Sequence, residues 1–292
     1  VIVAGAKPNG NGGAAAGAAA AVADAVRLPE DFGRIAVFGG IYNNHLALAE
    51  ALADAARREV EAIFCLGDLG GFGPHPDRVF PLLREHAVRV MRGNYDESVA
   101  AGLDDCGCGY TDPRDNRFAQ VSYDYTFSHT SDENRRWMAG LPPAFRFRLG
   151  RTEVVTCHGS PRRVNEFLWE SGTPDGLLRR FLDAAGADLI LGTHTGIKWR
   201  RRLADGRGFV NVGVLGRPEN DGTPRVWYTL LESDPALGWR ETFVPVGYDH
   251  ERLAREMRDE GLPEEFVETT LTGWWTTCLE VLPAKERLRG RY

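Results

Sequence analysis

The chain has 292 residues, 43% of them hydrophobic, which is enough for a sizeable core in one large domain or two small ones. Its formal net charge is −6 without long runs of Lys or Arg, so it offers no electrostatic footprint for nucleic acid or an anionic membrane. No apolar stretch approaches the roughly 18–20 residues that span a bilayer. Five cysteines, an odd number with no paired framework, point to free thiols and the cytoplasm.

Residues 1–28 read as a Gly/Ala-rich mobile leader, with an Ala-rich helix over residues 14–26 as the alternative. The stretch lacks a basic start followed by a strongly apolar segment. Short β-type runs then alternate with helical stretches. "RIAVF" precedes a helix near residues 44–58, "EAIFCLG" precedes a loop and a helix near residues 76–85, and "AVRVMRG" precedes a helix after Asn94. "TEVVTCHG" and "ADLILG" continue the alternation, which is the signature of βαβ units around a buried sheet.

From Trp199 the pattern changes to strands with tight turns, read as an antiparallel second sheet. "DHERLAREMRDEGLPEEFVETTL" gives two short helices broken at Gly261 and Pro263, with Asp249 as an N-cap. We expect one domain over residues 29–272 and a tail, residues 273–292, whose Trp274 and Trp275 pack on it, an interface role being the alternative.

Four segments end a strand and step at once into a polar loop: "CLGDLGGFGP" with Asp68, "VMRGNYDES" with Asn94, "VVTCHGSPR" with His158 and "LILGTHTGIKW" with His194. Singly, each has an ordinary explanation as a turn residue or a satisfied core histidine. Strand ends of one sheet can meet along an edge, however, and an Asp, an Asn and two His are a reasonable ligand set for Mn, Fe or Zn. In "DCGCGY", Cys106 and Cys108 have a spacing that could grip a soft metal or form a bridge, against plain loop packing.

These motifs resemble the calcineurin-like metallophosphoesterases, in a bacterial branch related to diadenosine tetraphosphatases and serine/threonine protein phosphatases. "GDLGGFGPHP", "GNYD", "CHGSP" and "FVNVGVLGRPENDGTPRVWY" carry the likeness, which covers about residues 34–272. The resemblance implies an α/β fold, a four-layer αββα sandwich of two mixed sheets, holding two metals about a bridging Asp. By position the bridge is Asp68, and Asn94, His158 and His194 complete one site. The family's G-H-T-H-x-P-W segment aligns with "THTGIKW" through Trp199, giving His194 as a ligand. Anchoring on Gly192 instead would substitute Thr193 and Thr195.

The other site departs from the family. Its terminal ligands would come from positions 40, 42 and 196, which here read Gly40, Tyr42 and Gly196. The resemblance therefore implies one divalent transition metal (Mn, Fe or Zn), with the first pocket empty, reshaped or reused. Tyr95 stands where the family has an imidazole near the leaving group, and Asp96 completes that trio, so both are catalytic candidates. Arg162 and His75 are candidates to reach a phosphate. Asn43, Asn44 and His45 are possible replacement ligands, although His45 also suits an exposed or capping place.

The leading reading is a single-metal phosphoesterase acting on a small phosphate ester or nucleotide. A silent relative binding a nucleotide, phosphate or protein partner is the first alternative. A repurposed enzyme using Cys106 and Cys108 is the second.

Overall fold

The computed structural model describes residues 20–288. The leader expected over residues 1–28 is corrected at its end. Residues 20–22 form a 3₁₀ turn, and Val26–Phe32 is strand β1, pairing in parallel with β5 (Phe145–Leu149). The polar residues in "VRLPEDF" hid this edge strand, which is exposed before Phe32 except at the half-buried Leu28. The rest of the leader reading lies outside the described residues.

Two sheets are stacked face to face. The first has six strands in the order β1, β5, β6 (Thr152–Thr156), β7 (Leu189–Gly192), β9 (Gly208–Asn211), β8 (Trp199–Arg202). The second has five: β11 (Gly238–Val246), β10 (Val226–Asp234), β2 (Arg34–Phe38), β3 (Ala62–Cys65), β4 (Arg89–Val90). Each mixes parallel and antiparallel pairs.

The separate antiparallel sheet expected after Trp199 is not formed. The β8–β9 hairpin extends the six-stranded sheet through β9 beside β7, and the β10–β11 hairpin joins the other sheet beside β2. Alternation identifies a hairpin, but the sheet it joins depends on apolar faces far away in the chain.

Strand alternation sorts the core into layers. Ile35, Val37, Phe64, Val154, Leu189 and Leu191 face between the sheets in one apolar cluster. Their neighbours Ala36 and Phe38 face outward under helices α1 (His45–Arg57) and α2 (Val79–Glu85). Val155 and Ile190 face outward under a helix at Asp175–Ala185. The result is the αββα sandwich expected. Further helices follow β4 at Asn94–Ala101, Pro113–His129 and Asp132–Ala139. Near the C-terminus lie His250–Asp259, capped by the Asp249 side chain as read from the sequence, and Glu264–Thr272. A last short helix is Ala284–Arg287.

Strand pairing aims the loops. β3 runs parallel to β4, and β6 runs parallel to β7, so the carboxyl ends of each pair lie at one edge. Asp68, Asn94, His158 and His194 follow these four ends.

Candidate metal centre

Three of the four expected ligands converge. One ligand atom each from Asp68, His158 and His194 lies within 4.8 Å of the others, and all three residues are buried. His158 Nε2 is 3.1 Å from Asp68 Oδ2, and His194 Nδ1 is 3.2 Å from His158 Nε2. Of the two alignments, the one through Trp199 names the residue that lies in the cluster, His194. Thr195 Oγ1 donates to the Ile197 carbonyl, and Thr193 Oγ1 to the Gly213 carbonyl, so neither hydroxyl serves the cluster.

Asn94 begins its helix. Its amide nitrogen donates to the Cys106 carbonyl at 2.8 Å, while Oδ1 is buried and has no hydrogen-bond partner. The next amide, Tyr95 N–H, holds Asp68 Oδ1 at 3.1 Å. A buried carbonyl oxygen without a donor is costly unless a ligand supplies the missing partner. The donor set, a carboxylate, an amide oxygen and two imidazoles, fits a borderline transition metal.

The loops carrying these groups are held in backbone conformations that ordinary side chains seldom adopt. Asp68 has φ of 61° and His194 of 70°, with Tyr42 at 48° and Phe72 at 52° nearby. Such departures persist only where the surroundings enforce them, and they cluster at functional sites. Asp96, expected to be catalytic, belongs to that enforcement. Its carboxylate accepts from the backbone N–H groups of Asp68, Leu69 and Gly93 at 2.8–2.9 Å. It is 1% exposed and positions the Asp68 loop. Gly93 is required by the same packing, because a Cβ there would lie 2.3 Å from Asp68 Oδ1.

Electrostatics follow from burial and crowding. Burial, and then the Asp68 charge, push Asp96 up to about 6 against its three backbone donors. Burial and the neighbouring His158 bring His194 down to about 3, so its ring is neutral. Burial opposes charge on both partners of the Asp68–His158 pair. Their mutual attraction prevails, lowering the carboxyl and raising the imidazole. His158 Nδ1 donates to the Leu66 carbonyl at 2.6 Å, which leaves Nε2 facing the cluster.

Aromatic rings stand beside the other half of the expected centre. A Cβ on Gly40 would come within 2.2 Å of the Tyr42 ring, whereas one on Gly196 would meet the Trp275 ring at an ordinary contact distance of 3.5 Å. Tyr42, Gly196 and Trp275 line the cavity next to the cluster. Asn44 caps α1 through Ala47 N–H and donates to the Leu215 carbonyl, Asn43 donates to the Gly73 carbonyl, and His45 faces Glu256 at 3.6 Å. None of the three reaches the cluster, so the replacement-ligand reading is corrected.

Two further expectations are displaced. Arg162 pairs with Glu166 and lies over the Phe181 ring, on the helix-covered side of the six-stranded sheet. His75 faces Glu256 and Glu260 at 3.8 Å. Neither lines the cavity beside the metal cluster. Short polar motifs mark their loops but not the direction in which long side chains leave them. Tyr95 does line it, with its hydroxyl donating to Ser122 Oγ at 3.0 Å and burial pushing the phenol well above its ordinary value. Cys106 and Cys108 form a disulfide, so the expectation of five free thiols holds only for Cys65, Cys157 and Cys278.

The cavity has a volume of about 90 Å³ and includes Asp68, His194, Tyr42, Tyr95, Trp275 and Arg217 in its wall. Sequence reading missed Arg217, together with Tyr110, Thr277 and Cys278 of the same wall. The available signal was a lone cation following the buried run "FVNVGVLG".

The model of the calcineurin-like phosphoesterase superfamily domain matches residues 34–234. An uncharacterized protein of Methanocaldococcus jannaschii is 25% identical over 255 residues, covering 82% of this chain and 98% of the relative. A metallophosphoesterase from Sphaerobacter thermophilus superposes with a TM-score of 0.64 at 24% identity, over 83% of this chain and 100% of that one. A hypothetical protein of Pyrococcus horikoshii gives 0.70 at 21%, over 83% and 99%. At those identities the two structures speak to the fold alone. The chain belongs to the calcineurin-like phosphoesterase superfamily. That membership implies use of a divalent metal. No helix among the described residues is long and apolar enough to cross a membrane.

Proposed function

We propose that this protein hydrolyses a phosphomonoester or phosphodiester with a single divalent transition metal, Mn, Fe or Zn, held by Asp68, Asn94, His158 and His194. The observation that carries the reading is the asymmetry of the centre. Ligand atoms of Asp68, His158 and His194 lie within 4.8 Å of one another and Asn94 Oδ1 is buried and unpartnered, while the Tyr42 ring takes the space beside Gly40 and Gly196 offers no ligand. When bound, one such ion supplies an acidified water and polarises a phosphoryl oxygen.

The chain's own groups set the rest. The Leu66 carbonyl fixes the His158 tautomer, Tyr95 N–H orients Asp68, and Asp96 locks the loop between them. Tyr42, Tyr95 and Trp275 make the wall beside the cluster largely aromatic, which lowers the local dielectric and strengthens charge interactions there. Tyr95 is a poor general acid, because its phenol is buried and its proton is committed to Ser122. Leaving groups that need little protonation, such as aryl oxides, should therefore depart much faster than alkoxides.

Metal analysis combined with turnover tests the reading. Purified chain loaded with Mn, Fe or Zn should hold one ion and hydrolyse p-nitrophenyl esters of phosphate, and Asp68→Asn should lose both properties. A metal-replete chain inactive on a broad phosphoester panel would favour the second reading, a silent relative that binds a small phosphate, a nucleotide or a protein partner. The Tyr42 ring packed against Gly40 supports that alternative.

A further inference from the structure

A two-metal phosphoesterase holds its phosphoryl group between two positive centres. In the single-metal reading one of those centres is missing, so the negative oxygens of a substrate need another cation. Arg217 is the cation in the wall of this cavity. It is 7% exposed, and its guanidinium carbon lies 3.9 Å from the Trp275 ring centroid and 5.2 Å from that of Phe72. One nitrogen, Nη2, donates to the Thr277 carbonyl at 2.6 Å and to its hydroxyl at 3.3 Å. Nε is buried with no partner, and no carboxylate lies within 4 Å of the guanidinium among the described residues.

A structural arginine buried to this degree would be expected to carry a carboxylate, since desolvating a lone cation is expensive. Elsewhere in this chain the half-buried Arg146 does so, pairing with Glu153. Arg217 instead has two aromatic faces and one peptide carbonyl, which orient it but do not neutralise it. Its stacking partner Trp275 lines the cavity together with Gly196, whose Cβ position would meet the ring at 3.5 Å. The ring beside the first-site position thus also orients the guanidinium.

We infer that Arg217 is the anion-recognition residue of this site, taking an anionic oxygen of the substrate's phosphoryl group from the side where a second metal would otherwise stand. The inference rests on the phosphoesterase reading for its substrate class, but the binding role is testable without turnover. A guanidinium presents its donors in a planar fork that matches phosphate geometry. The cavity, at about 90 Å³, is smaller than the roughly 150 Å³ that accommodates benzene in an engineered protein core. It suits a phosphoryl group with a compact substituent, so the nucleoside of any nucleotide would remain outside it.

Calorimetric titration of inorganic phosphate into the metal-loaded full chain tests this, with metal content measured on every sample. Wild type should bind phosphate, and Arg217→Met, which keeps the apolar stem, should retain its metal and weaken phosphate about tenfold or more. Arg217→Lys should fall between them, because it keeps charge but loses the fork. Asp68→Asn should lose metal yet keep weak, Arg217-dependent phosphate binding.

Wild-type phosphate affinity in metal-replete Arg217→Met would overturn the assignment, as would absence of phosphate binding by the loaded wild type. If the Met variant does not fold, unchanged affinity in the Lys variant overturns it instead. Arg217-dependent binding without turnover of any ester would sink the hydrolase reading and leave this one standing. Turnover with an unaltered KM in Arg217→Met would do the reverse.

Discussion

The two halves of the centre are built from the same loops but answer to different physics. In the retained half, a carboxylate and two imidazoles crowd together, Asp68 and His194 have left-handed backbone, and the Asp68 loop is held by Asp96 and Tyr95 N–H. In the other half, the Tyr42 ring takes the space beside Gly40, while Gly196 meets the Trp275 ring at ordinary contact distance on the cavity wall. A glycine with open space beside it fits simple loss of a ligand, as at Gly196. A glycine with an aromatic ring packed where its Cβ would go, as at Gly40, fits the proposed rebuilding of that pocket.

The largest effect should come from the retained half. Asp68→Asn removes the only carboxylate in the cluster and leaves the buried His158 without its partner. Metal content should fall from about one ion per chain to near zero, with turnover down at least about 10³-fold, a range typical of losing central electrostatic stabilisation. Gly93→Ala should act similarly but less completely, because its Cβ meets Asp68 Oδ1 while the ligands themselves remain. Elemental analysis of both variants would rank them; equal metal content in wild type and Asp68→Asn would break the comparison.

The filled half should respond in the opposite sense. Gly40→Asp alone drives a side chain into the Tyr42 ring and buries an unpaired charge, so it should destabilise by about 3 kcal/mol through overpacking and desolvation. Adding Tyr42→His and Gly196→His removes the clash and supplies partners, so the triple variant should be more stable with metal than Gly40→Asp and should bind a second ion. Thermal unfolding with and without Zn, together with metal stoichiometry, checks both statements. A tolerated Gly40→Asp would show that the ring does not own the space.

Much of this was legible in the sequence because it is local. Apolar runs of five residues ending in polar loops gave the strands and placed Asp68, Asn94, His158 and His194 at their ends. The absence of ligands at positions 40, 42 and 196 was equally readable. What filled their place was not, since Trp275 comes from a segment far along the chain and Arg217 from a third. Long side chains were the least legible of all. Arg162 follows His158 by four residues yet turns to Glu166, whereas Arg217, in a motif of Gly and Pro, turns to the cavity. Strand partners failed for the same reason: Trp199 onward announced hairpins, but the sheet each one joins is decided by distant faces.

The smallest effect should come from the disulfide, although it stands beside the retained half. The Cys106 carbonyl accepts from Asn94 Nδ2 at 2.8 Å, so the bridge could be thought part of the metal site. The shorter contact uses backbone, however, Asn94 Nδ2 meets Cys108 Sγ only at 3.5 Å, and the bridge closes a loop of only three residues. Loop-closure entropy for so short a ring is worth about 1.6 kcal/mol at most. Cys106→Ser with Cys108→Ser should therefore lower the unfolding temperature by a few degrees, while metal content stays near one ion and turnover stays within about threefold. Reductant should move wild type to the same values. Loss of metal or turnover well beyond the stability change would instead assign the sulfurs to the chemistry, and the boundary between the retained and rebuilt halves would have to be redrawn around the 105–109 loop.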